Sequence, residues 1–192
     1  MSALTKKKKY TPEEYLALEE KAEYRSEYVN GNIFKMAGGT EAHNDITLNV
    51  AATLKTKLRG KCKTFASDMK VWVEEADTYF YPDVTVVCGE RKFHKDRTDI
   101  VENPILLVEV LSKSTEEYDK NDKFLTYRNI PAFQEYVLIS QHRPAVQQFN
   151  RQTDGRWLYK ATIGLSSKVY FESVAAELSL EEIYDLVEFE ET

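Results

Sequence analysis

The 192-residue chain has only two cysteines, Cys62 and Cys88, and three histidines. Neither cysteine stands at metal-site spacing from a partner, so no zinc cluster is indicated and both are expected to be reduced and structural. Long apolar runs are missing as well: no stretch approaches the roughly 18 residues needed to cross a membrane. The N-terminus has no apolar signal-peptide core, and a cytoplasmic location with no membrane partner is therefore expected. A glycine-rich phosphate loop, a G-x-S-x-G elbow and an H-E-x-x-H helix are all absent. Nucleotide-loop, serine-hydrolase and zinc-peptidase chemistries thus have no support.

What remains is an ordinary globular composition, 42% hydrophobic and 30% charged. The length suits one domain with a proper core, expected over residues 11–192 behind a basic tail of residues 1–10. The Lys6–Lys9 run reads as a solvated, disordered segment. The net charge of −6 argues against a surface built wholly for nucleic acid but allows a local basic groove.

Along the chain, Thr11-Pro12-Glu13-Glu14 marks a helix start, with a capping hydroxyl, a proline and acids in the first turn. Tyr24–Val29, Asn30-Gly31 and Asn32–Met36 form a hairpin signal. A helix follows from Ala42 to Leu58, with Ile46, Val50, Leu54 and Leu58 recurring every fourth residue. Strands are expected at Cys62–Phe65, Lys70–Val73 and Tyr79–Val87. Pro82 cannot donate a ladder hydrogen bond and belongs at a strand start or an edge. Arg91–Glu102 is charged and loop-like. An apolar strand, Pro104-Ile-Leu-Leu-Val-Glu-Val-Leu111, then leads through a Thr115–Arg128 helix to the strand Glu135–Ile139, a parallel crossover unit. Val146–Phe149, Trp157–Ala161 and Val169–Phe171 alternate as further strands before a final helix over Leu180–Val187. The class is α/β.

Glu109 stands out because it interrupts that apolar strand with no basic residue beside it. A buried carboxylate costs several kcal/mol unless it is paired, protonated or bound to a cation. Leu107, Glu109 and Leu111 share one face of the strand; Val108 and Val110 take the other. Asp83 is a second acid in a strand otherwise apolar or aromatic. Two such carboxylates on neighbouring strands would repel unless a cation sat between them, and hard oxygen ligands suit Mg²⁺ or Mn²⁺. On the following helix Asp119, Lys123 and Tyr127 lie at i, i+4 and i+8 and form one stripe. From that stripe Lys123 would reach the acids, orienting a water or stabilising charge on a phosphate.

Pro82-Asp83, Glu109-Val110-Leu111-Ser112, Asp119, Lys123 and Tyr127, taken in order, resemble the PD-(D/E)XK nuclease superfamily. More narrowly they resemble a large bacterial family of restriction-endonuclease-like proteins, which opens with a tyrosine-bearing hairpin and a histidine-initiated helix. Tyr24–Gly31 and His43 match that layout. The resemblance implies a restriction-endonuclease-like mixed sheet of about four core strands flanked by helices, with an N-terminal β-hairpin and C-terminal β additions. It further implies a Mg²⁺-dependent endonuclease hydrolysing DNA, as a homodimer, with Asp83 and Glu109 as metal ligands. The superfamily's basic residue belongs two positions after the acid, where this chain has Leu111. In the resembling family the lysine has moved to the next helix, which Lys123 fits; Lys113, on the same strand face if the strand continues, is the alternative. Glu27 is a candidate third acid from the N-terminal hairpin. His43 is either a phosphate or water contact or simply a helix cap, and Tyr127 is expected in the core or supporting the site from behind, not as a catalytic group. The competing reading is a non-catalytic interaction or nucleic-acid-binding protein that retains the fold. RNA also remains open as a substrate.

Overall fold

The capping signal at Thr11 is realised in both directions. In the computed structural model, which describes residues 8–189, helix α1 spans Pro12–Glu19. The Thr11 hydroxyl accepts from the Glu14 N–H, and the Glu14 carboxylate accepts from the Thr11 N–H. Strands β1 (Ser26–Val29) and β2 (Asn32–Lys35) follow. Asn30 and Gly31 join them with φ of 43° and 87°, the left-handed pair that a tight hairpin of the right twist requires. Residues 1–7 of the expected tail lie outside the described residues. Its last residues pack on the hairpin instead of being free, with the Tyr10 N–H donating to the Gly31 carbonyl.

Helix α2 covers Glu41–Lys57, and its Ile46, Val50 and Leu54, with Leu58 after it, are buried as the four-residue spacing predicts. Then come β3 (Cys62–Ala66), β4 (Lys70–Val73), β5 (Thr78–Phe80), β6 (Val84–Cys88), β7 (Ile100–Val101) and β8 (Leu106–Leu111). The crossover helix consists of α3 (Glu116–Tyr118), a π turn (Asp119–Lys123) and α4 (Phe124–Tyr127). The chain finishes with β9 (Glu135–Ser140), β10 (Ala145–Arg151), β11 (Trp157–Ile163), β12 (Lys168–Phe171), β13 (Ala176–Ser179) and α5 (Leu180–Ile183).

The strands form a six-stranded sheet in the order β11-β10-β9-β8-β6-β3, a five-stranded sheet β2-β1-β5-β4-β7, and the hairpin β12-β13. The four expected core strands are β3, β6, β8 and β9, with β10 and β11 as the C-terminal additions. Strands β8 and β9 pair in parallel, as the crossover between them demands. One face of this sheet, through Val108, Val110, Val137 and Ile139, packs on α2 and the C-terminal hairpin. The other, through Leu107, Leu111 and Leu138, packs with Tyr127, Val71 and Phe80. Glu109 lies on that second face, where the two larger sheets and the crossover helix meet.

Several expectations need correcting. Tyr79–Val87 is not one strand: Pro82, with no N–H to give, sits in a break that sends β5 to one sheet and β6 to the other. Arg91–Glu102 is not wholly a loop, because Ile100–Val101 pairs with β4. The last helix ends at Ile183 and is preceded by β13, which the sequence pattern did not reveal. The cysteines are not reduced. Cys62 and Cys88 face each other across the antiparallel β3–β6 pair and are joined in a disulfide. Cysteine usage therefore gives no support to a reducing compartment.

A second buried glutamate, Glu135, is compensated by hydrogen bonds alone. Its carboxylate accepts from the Ser173 N–H, the Ser173 hydroxyl and the Gln148 amide, locking the turn between β12 and β13 onto β9. The disulfide closes a loop over a sequence separation of 26. The double variant Cys62→Ala/Cys88→Ala is expected to lose about 3 kcal/mol in urea unfolding under oxidising conditions, the scale of releasing such a loop in the unfolded chain.

Candidate active site

Glu109 is almost completely buried, at 3% exposure, and its surroundings are built by four separate elements. Strand β6 pairs with β8 so that Val84 faces Val108, which sets Asp83 opposite Glu109 one step beyond the last pair. The Val110 N–H donates to Asp83 Oδ2 at 2.7 Å and fixes that carboxylate against the β8 backbone. The crossover helix brings Lys123 Nζ to 3.2 Å from Glu109 Oε1, and the Tyr127 hydroxyl donates to the same oxygen at 3.0 Å. Strand β1 contributes Glu27, whose Oε1 lies 3.1 Å from Lys123 Nζ and accepts from the Tyr81 N–H. Asp119 completes the set at 3.3 Å from the same ammonium.

His43 stands at the mouth of this cluster. It is not the cap of α2: that role belongs to Thr40, whose hydroxyl accepts from the His43 N–H. Its ring instead turns to Asp83, with Nε2 at 3.2 Å from Oδ2. Gly39 makes this possible, because a Cβ there would come within 2.9 Å of His43 Nδ1. The His43 and Asp83 side chains are 21% and 14% exposed, against 4% for Glu109, so solvent approaches from their side.

Of the residues singled out in the sequence, Asp83, Glu109, Lys123, Glu27, His43, Asp119 and Tyr127 are thus brought together. Lys113 is not. It lies exposed in the turn after β8, because the Ser112 hydroxyl and carbonyl capture the Thr115 and Glu116 N–H groups and end the strand. Tyr127 is buried and supports the acid directly, its hydroxyl donating to Glu109. Sequence reading missed Tyr136, whose hydroxyl donates to the Asp119 carbonyl. The only sequence signal for it was an aromatic at the position of β9 that shares a sheet face with Glu109.

Four carboxyl groups face one lysine and one histidine, and the electrostatics follow from that excess. Burial pushes the Glu109 carboxyl well above the usual carboxylate range; Lys123 opposes the rise, while Asp119, Asp83 and Glu27 add to it. Burial works against the charge on Lys123, but Glu109, Glu27 and Asp119 outweigh it and hold the ammonium well above the usual lysine range. Burial likewise opposes a charged His43, and its hydrogen bond and attraction to Asp83 reverse the balance, raising it. The cluster is short of positive charge.

An open cavity of about 270 Å³ lies beside Tyr81, lined among others by Glu19, Arg25, Lys70, Arg97 and Asp99. Its cations are already taken by Asp68, Asp99 and Glu20, so it lacks the charge imbalance found around Glu109.

A family model described as "putative restriction endonuclease", Uma2, matches residues 12–181. The chain belongs to the Uma2 family. Two relatives from Synechocystis sp. are similar over most of their length. Uncharacterized protein sll1609 is 40% identical over 162 residues, covering 84% of this chain and 92% of the relative. Uncharacterized protein slr1290 is 34% identical over 180 residues, covering 92% of each. Among solved structures, a "putative nuclease belonging to DUF820" from Anabaena variabilis superposes with a TM-score of 0.75 at 19% identity. That match covers 91% of this chain and 97% of the other, and at this identity the likeness is one of fold. The Uma2 chain is therefore restriction-endonuclease-like in architecture. No helix among the described residues is long and apolar enough to cross a membrane.

Two outcomes test the electrostatics. Lys123→Met would leave buried carboxylates unpaired and is expected to cost about 3 kcal/mol near pH 8. A carboxyl with a raised folded pKa contributes stability in full below its unfolded value and loses it as pH rises through the folded value. The penalty should therefore shrink in urea unfolding as pH is lowered, the direction in which the raised Glu109 carboxyl is neutralised. For His43, raised by Asp83, the stabilising contribution is complete below about 6.5 and is lost as pH rises through the higher folded value. Proton NMR titration should place the His43 midpoint above that of a free imidazole, and Asp83→Asn should bring it down.

Proposed function

We propose that this Uma2 protein is a divalent-metal-dependent nuclease hydrolysing DNA phosphodiester bonds, with Mg²⁺ or Mn²⁺ held by Asp83 and Glu109. The observation that carries the reading is convergence. Two carboxylates on adjacent strands and a lysine from the crossover helix meet at one point, although the lysine is absent from its usual position two residues after the acid.

The donor set fits a hard divalent cation: it consists of carboxylate oxygens, and it carries more negative charge than Lys123 and His43 offset. Among the described residues no group of three or more His, Cys, Asp or Glu side chains is arranged to hold a metal unaided. Mg²⁺ commonly takes only one or two carboxylates and completes its shell with water and substrate phosphate. When bound, such an ion would polarise the phosphate and make a water molecule more acidic. The chain's own groups have distinct tasks. Lys123 presents a fixed ammonium that orients the attacking water and stabilises charge growing on phosphate oxygen. Glu27 and Asp119 hold that ammonium in place, Tyr127 holds Glu109 Oε1, and His43 at the open side donates to the incoming phosphate.

One observation favours a second reading, a nucleic-acid-binding or interaction protein without catalysis. The Lys123 ammonium already has three carboxylate partners. Incubation of the purified protein with supercoiled DNA and Mg²⁺ or Mn²⁺ separates the two, with RNA as a parallel substrate. Nicking is expected, and a chelator should stop it. Asp83→Asn and Glu109→Gln should each lower it about 100-fold or more, the scale of losing one charge-stabilising group. Equal nicking by wild type and both variants overturns the assignment. Failure to bind divalent ions at millimolar concentration in calorimetry supports the second reading.

A further inference from the structure

We propose that Tyr136 is a positioning residue: it holds the π turn at Asp119–Lys123 and thereby aims Lys123 at Glu109. The inference rests on the assignment of Lys123 to the proposed centre, and its starting point is a mismatch of helical phase. At 3.6 residues per turn, four residues over-rotate by about 40°, so an unbroken α-helix would spread Asp119, Lys123 and Tyr127 over about 80°. Their side chains nevertheless converge. Asp119 Oδ1 meets Lys123 Nζ, and both Lys123 and Tyr127 reach the single atom Glu109 Oε1. The wider π turn between Asp119 and Lys123 supplies the difference, because it advances less per residue and cancels the drift.

Such a turn is rare and must be held. Two backbone carbonyls within the π turn accept a side-chain hydrogen bond: Asp122 from Thr126, and Asp119 from the Tyr136 hydroxyl at 3.0 Å. Only the last comes from outside the helix. Tyr136 sits on β9 two residues before Leu138, the cross-strand neighbour of Glu109, and so rises from the sheet on the Glu109 face. Its ring stacks on Phe124, the residue that resumes the α-helix, with centroids 5.5 Å apart and planes within 3°. The hydroxyl therefore ties the turn to the same sheet that carries the acid.

Tyr136→Phe removes only the hydroxyl and keeps the ring in its stack. The readout is amine labelling of the intact protein at one pH, followed by peptide mass spectrometry. Lys70 is the internal control, since its side chain is as buried as that of Lys123, 8% exposed in each, and is paired with Asp99 away from β9. Lys123 labelling should rise about two- to tenfold in the variant, the range opened by losing one ordinary hydrogen bond, with Lys70 unchanged. Unchanged Lys123, or an equal rise at both lysines, overturns the proposal, the second outcome reducing Tyr136 to a general fold contact. In the nicking assay kcat should fall with KM for DNA unchanged. A wild-type protein that cuts nothing would defeat the nuclease reading while leaving the labelling result to decide the role of Tyr136.

Discussion

The ammonium of Lys123 is buried among Glu27, Glu109 and Asp119, and much of the architecture follows from that arrangement. None of these charges is stable alone in an apolar setting; each requires the others. They arrive from β1, β8 and the crossover helix, so the five-stranded sheet, the six-stranded sheet and the helix are tied at one point. The aromatic packing behind it, with Phe80 and Tyr136 both against Tyr127, lowers the local dielectric and strengthens the interactions there.

Glu135 and Glu109 are both buried, and they are compensated in different ways. Glu135 is satisfied by donors that match its oxygens and bring no competing acid within bonding distance. Glu109 shares one lysine with two further acids and lies beside a fourth, so its neighbourhood keeps a surplus of negative charge facing an open side lined by His43 and Asp83. A structural lock has no need of such a surplus. The divalent cation proposed for the Glu109 cluster would offset it. The same sheet frame appears in the Anabaena variabilis structure at 19% identity, so this arrangement of strands tolerates wide sequence change.

Most strands and the two longer helices could be read directly from Thr11, Asn30-Gly31, the fourth-residue repeat of α2 and the apolar runs of β8 and β9, because each is a local pattern with a local cause. Asp83, Glu109 and Lys123 were also legible, as charges out of keeping with their surroundings or in register with one another. The split at Pro82 was not, since which sheet a strand joins depends on partners distant in the chain. Nor was the Cys62–Cys88 bond, which follows from the β3–β6 register.

The sequence by itself determined the element types, the face of β8 on which Glu109 lies and the need for something to compensate its charge. Only the tertiary structure decided what that something is. It brought Lys123 to 3.2 Å from Glu109, turned His43 from a possible cap into a partner of Asp83, and drew in Tyr136 from another strand. Hydrophobic periodicity is a property of neighbouring residues, whereas the placement of a buried charge is settled by whatever distant groups the fold brings within about 3 Å of it.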